Sequence, residues 1–136
     1  MIRLTFSGAI DDFSKVRDCI ARVIAGSDAT TRQVSLEALP DRDCYGGTHR
    51  LVLEGEGVRV EECIASNEEG NPRDGYGYSM WWTFTGTGAR SGASASVRES
   101  NYQPRVNGFT VSVSEAEGDA MRLAIEALLG RSARVW

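Results

Sequence analysis

The chain has 136 residues and a mass of 14.8 kDa. That length buries roughly 68% of the surface an unfolded chain exposes, enough for one core and too little for a second domain of ordinary size. At 41% hydrophobic and 25% charged the composition is globular, and fifteen basic against nineteen acidic residues leave a net charge of −4, a poor basis for phosphate neutralisation and so for nucleic-acid binding.

Taken in chain order, Ile2, Leu4 and Phe6 alternate with polar residues, the period of a half-buried strand. From Ile10 to Ala25, Phe13, Val16, Ile20, Val23 and Ile24 recur at helical spacing, with Asp11 and Asp12 early and Gly26 just past the end, which predicts an amphipathic helix. Val34, Leu36 and Ala38 alternate before Pro40 and predict a short strand; 41–48 reads as loop. Leu51 and Leu53, then Val58 and Val60, flank Glu54-Gly55-Glu56-Gly57, the pattern of a tight hairpin whose second arm runs on through Ile64.

Residues 67–77 (NEEGNPRDGYG) have the composition of a long loop. Tyr78, Met80, Trp82 and Phe84 share one face of a strong strand, with Trp81 on the other. Residues 86–96 (GTGARSGASAS) read as a flexible connection that enters a weak strand near Ser96 to Arg98. Asn107-Gly108 marks a turn into an alternating strand of Phe109, Val111 and Val113. Ser114 and Glu117 form an S-x-x-E capping box ahead of a helix with Ala120, Met121, Ala124, Ile125 and Leu128 on its apolar face, closed by Gly130. The expected fold is therefore α+β, a mainly antiparallel sheet of about five or six strands covered by two amphipathic helices in a single domain over residues 1–136. The two helices bury their apolar stripes either side by side on one face or on opposite faces as an α-β-α sandwich; two-sided aromatics on the 78–84 strand favour a sheet packed on both faces, by a helix or by a second copy in a homodimer.

No run reaches the roughly 18 apolar residues of a membrane-spanning helix, and MIRLTFSGAIDDF lacks the order of a signal peptide, so no membrane association and a cytoplasmic location are expected. Cys19, Cys44 and Cys63 are odd in number and spaced for neither a disulfide framework nor a zinc knuckle. The only histidine, His49, lies five residues after Cys44, but Asp43 beside that cysteine opposes thiolate formation, and this weighs against a Cys-His enzyme. Neither a catalytic residue nor a metal or cofactor is expected.

Two surfaces stand out. Glu54, Glu56, Glu61 and Glu62 crowd the hairpin around Arg59; with Trp81 and Arg90 they form the candidate contact set for a protein partner with a basic surface. The alternative is a small-molecule or nucleotide site in which Gly86, Gly88 and Arg90 approach an anion while Tyr76 stacks on a flat ring. No helix opens directly after that glycine run, as a phosphate loop requires.

The succession YSMWWTF (78–84), NGFTVSV (107–113) and AMRLAIEALLG (120–130) resembles the ending of small phage-encoded α-β-α sandwich accessory proteins. That resemblance, confined to the C-terminal half, implies a small non-enzymatic protein of a mobile element, a class that includes inhibitors of bacterial defence systems. The reading that follows is a non-catalytic protein-binding module, an inhibitor or accessory protein that acts by occluding its partner.

Overall fold

A computed structural model describes residues 1–8, 12–38, 49–64, 79–100 and 108–135. Strand β1 (Ile2–Ser7) leads into helix α1 (Phe13–Ala25), which is followed by β2 (Arg32–Ala38), β3 (His49–Gly55), β4 (Val58–Ile64), β5 (Ser79–Gly86), β6 (Ser94–Ser100) and β7 (Gly108–Val113). Helix α2 (Gly118–Leu129) and the short β8 (Arg134–Val135) complete the order. The described strands form one antiparallel sheet, β2-β3-β4-β5-β6-β7-β1-β8. Eight strands replace the five or six expected; the α+β class and the antiparallel sheet stand.

Local chemistry sets the element ends. Asp12 caps α1, its carboxylate accepting from the Lys15 amide at 3.0 Å, so the helix begins at Phe13 and not at Ile10. Gly26 ends it at φ +70°, a left-handed conformation open to glycine at little cost, and donates to Arg22 O at 2.9 Å. The β3–β4 hairpin turns in two residues, Glu56 and Gly57, with Gly57 at φ +84° and Gly55 paired with Val58.

The capping box takes a different form from the one expected. A single 3-10 turn over Glu115–Glu117 intervenes, and α2 starts at Gly118. The Ser114 hydroxyl bonds the Glu117 carboxylate and accepts from Ser94 N at 3.1 Å, tying the helix start to the first residue of β6.

Both helices lie on the same face of the sheet and against each other. Val16, Ile20 and Ile24 of α1 join Met121 and Ile125 of α2 over Leu4, Phe6, Val58, Val60, Trp82, Phe84, Val97, Phe109 and Val111. Phe6 stacks on its cross-strand partner Phe109 with ring centroids 5.0 Å apart, and Trp82 meets Phe84 edge to face at 6.1 Å. Among the described residues the architecture is two-layered, so the helix-on-each-face arrangement of an α-β-α sandwich is not the one found. No helix of the described residues is long and apolar enough to cross a membrane.

Candidate functional site

Side chains alternate across a strand, so two helices on one face leave the other without a helix, although Val52 and Cys63 on this open face are buried at 3% and 7% exposure. Its central row runs Arg3, Ser112, Ser96, Thr83, Glu61, Val52 and Ser35 across seven strands. The adjoining row contains Ser94, Thr85, Arg59, Glu54 and Arg32. Short hydroxyl side chains thus occupy the middle of the open face, and charge collects at the β3–β4 end.

There the hairpin places three of the four expected carboxylates within reach of solvent. Arg59 donates to Glu54 at 2.9 Å and reaches Glu61 at 3.5 Å, while Glu56 is exposed in the turn. Three carboxylates against Arg59 and against Arg32, which pairs across from Glu54 on β2, leave the tip acidic by one charge. Ion pairs this exposed add little stability, so the cluster contributes little to folding.

Glu62 does not belong to that surface. Adjacent strand residues point to opposite faces, and Glu62 follows Val58 and Val60 inward to 0% exposure, where Arg17 of α1 donates to it at 3.0 Å. Desolvation lowers the Arg17 guanidinium from its ordinary value, and Asp18 partly offsets this.

Arg90 is also drawn inward. It stands in a 3-10 turn over Gly88–Arg90, donates from Nε to Ile24 O near the end of α1 at 2.9 Å, and lies 3.5 Å from Glu117 at the start of α2. A guanidinium at a helix C-terminus satisfies a carbonyl that the helix leaves over. Arg90 therefore clasps both helices to the β5–β6 connection.

The connection itself is closed. Gly86 N donates to Ala93 O at 2.8 Å, Thr87 N to Gly57 O at 3.0 Å, Arg90 N to Thr87 O at 3.0 Å, Ser91 N to Gly88 O at 3.1 Å and Ala93 N to Arg90 O at 3.0 Å. An anion cradle needs such N–H groups to be free. What reads as a flexible segment is a fastened turn leading into β6, which starts at Ser94.

Trp81 pairs through its backbone with Cys63 and Arg98, but its side chain, like Tyr76, Cys44 and the 67–77 segment, lies outside the described residues. His49 begins β3 opposite Ala38 and Ile64. Among the described residues no three His, Cys, Asp or Glu side chains gather as a metal site would require. No family model, curated protein or solved structure matches the chain.

The residue that sequence reasoning missed is Arg17. Its signal was indirect: a strand carrying Val58 and Val60 inward must carry Glu62 inward too, and a buried carboxylate calls for a cation on the covering helix.

Cys19 lies between the helices in a shallow depression with Val23, Ala120 and Ala124, and burial raises its thiol pKa against the opposing pull of Arg22. A raised thiol keeps its stabilising effect below the ordinary thiol range and loses it as the pH climbs through that range toward the folded value. The urea midpoint should therefore fall between pH 7 and about 10, and fall less in Cys19→Ala. Equal slopes in the two proteins would show that Cys19 ionises alike in the folded and unfolded states.

Proposed function

We propose that the protein is a non-catalytic binding module that docks a basic surface of a protein partner on the acidic hairpin and the neighbouring open face of the sheet. The observation that supports this most is the placement of Glu54, Glu56 and Glu61: all three reach solvent at the margin of a face that neither helix covers. Such a platform acts by occlusion, because a partner seated across several strands has that part of its own surface blocked. The likeness of the C-terminal half to phage accessory proteins extends the reading to an inhibitor carried by a mobile element. A nucleotide site at 86–92 is less well supported, since Arg90 and four backbone N–H groups there are already engaged.

The test is retention of partner proteins on the immobilised chain, eluted by a salt gradient, against the triple variant Glu54→Lys/Glu56→Lys/Glu61→Lys. These side chains are exposed enough for the variant to fold. The partner should bind the variant about tenfold more weakly or worse and elute at lower salt. Retention unchanged by charge reversal would end the acidic-platform model.

A further inference from the structure

The far end of the open face, on β7, β1 and β8, differs in charge from the hairpin. Arg3 and Thr5 alternate with Leu4 and Phe6, which are 1% and 0% exposed in the core, so both stand on the open face. Arg134 pairs with Thr5 from β8 and Thr110 pairs with it from β7, so they share that face. Arg3 and Arg134 are therefore diagonal neighbours, about 7–8 Å apart at the backbone, and both are exposed. A depression of about 460 Å³ lined by Met1, Arg3, Thr5 and Thr110 lies here; a second, of about 500 Å³, shares Thr5 and Thr110 with it and reaches Arg134. Two like charges at this spacing repel, and Arg3 has no carboxylate partner among the described residues. Glu61 shares the central row with Arg3 but lies four strands away, about 19 Å.

We propose that this end of the open face binds a phosphate group, held by Arg3 and Arg134 from two sides with the Thr110 hydroxyl donating beside them. A guanidinium presents a planar fork of donors matched to phosphate and carboxylate oxygens. A phosphate, close to doubly charged at neutral pH, offsets the mutual repulsion of two guanidinium groups, which a singly charged carboxylate does only in part. Met1, 68% exposed on the wall of the first depression, gives the organic part of a phosphomonoester an adaptable apolar contact. The net negative charge of the chain does not oppose such binding, because exposed charges are screened beyond about 10 Å at 0.1 M salt and the nearest carboxylate of the row lies farther off. This site is separate from the acidic hairpin and does not depend on docking there.

Titration with phenyl phosphate, and separately with inorganic phosphate, tests the site through the backbone amide resonances at fixed ionic strength. The Arg3, Thr5, Thr110 and Arg134 amides should shift together and saturate below about 10 mM, while those from Glu54 to Arg59 stay in place. Arg3→Gln/Arg134→Gln should weaken binding about tenfold or more. Arg32→Gln/Arg59→Gln removes the same charge at the hairpin and should leave binding unchanged. Arg3→Gln alone, which leaves β8 untouched, should already weaken it severalfold, so a disturbed β8 in the double variant does not decide the result. Phenyl sulfate has the same shape with less charge and should bind more weakly than phenyl phosphate. Tighter binding of phenyl phosphate than of inorganic phosphate assigns the site to a phosphomonoester; equal affinities assign it to the free ion. Shifts that do not saturate overturn the proposal, as do wild-type affinity in Arg3→Gln, equal losses in the two double variants, or equal binding of the sulfate.

Discussion

Replacing Arg17 by alanine should lower the stability of the fold by about 3 kcal/mol, the low end of what breaking a buried ion pair costs, because Arg17 keeps 14% of its side chain exposed while Glu62 keeps none. The loss arises from the carboxylate left behind. Glu62 sits beneath α1, paired along the sheet with Leu51 and Trp82, and removing its guanidinium leaves negative charge in a poorly solvated layer. If that is the cause, removing both charges should do less harm than removing one. Arg17→Met/Glu62→Leu should recover most of the lost stability in urea unfolding, since apolar replacements of similar volume often equal or exceed a buried pair. A single variant within 1 kcal/mol of wild type, or a double variant worse than the single, would mean that the pair is not buried in solution.

The second large effect belongs to Gly86. A Cβ there would lie 2.0 Å from Arg90 O and 3.0 Å from Ala93 O, both backbone atoms held by the hydrogen bonds that close the turn. Nothing flexible is available to give way. Gly86→Ala should cost about 2–3 kcal/mol, the upper part of the range for overpacking, and lower the melting temperature by about 10 °C. Gly88→Ala meets nothing within 4 Å and faces only its φ of +58°, at a cost of about 1 kcal/mol. Melting curves of the two variants therefore separate a packed turn from a flexible one: similar small losses would return the segment to a loose connection.

Periodicity was enough to read most of the elements. The alternation of Ile2, Leu4 and Phe6, the helical stripe from Val16 to Ile24, the Gly-rich hairpin and the run from Phe109 to Val113 all name elements the structure contains. What escaped reading has low contrast. β6 was legible only as a weak strand near Ser96 to Arg98: Ala93 just ahead of it, then Ala95 and Val97 within it, face the core between Ser94 and Ser96, a period of two written in small residues that resemble a linker by composition. β8 is too short for any period to show, and only Ala133 N donating to Glu126 at 2.7 Å marks how that segment is brought back to the sheet.

The candidate site was less legible than the fold, for a related reason. Counting charge along 54–62 treats neighbouring glutamates as equivalent, but a strand assigns Glu61 to solvent and Glu62 to the core. Arg90 was open to a similar misreading. A basic residue in a glycine-rich run suggests an anion until the far ends of two helices, distant in sequence, are found on either side of it.

The strand order has a kinetic consequence. From β2 to β7 each strand pairs with the next one made, so those contacts can form as the chain lengthens. β1 is different: Ile2 pairs with Val113 and Leu4 with Val135, so its neighbours are synthesised more than a hundred residues after it. Non-local closures of this kind slow folding, because chain entropy is lost before any contact repays it. During synthesis Leu4 and Phe6 must wait without their strand partners while the meander forms, and that interval is when the chain is most open to chaperones and to mispairing.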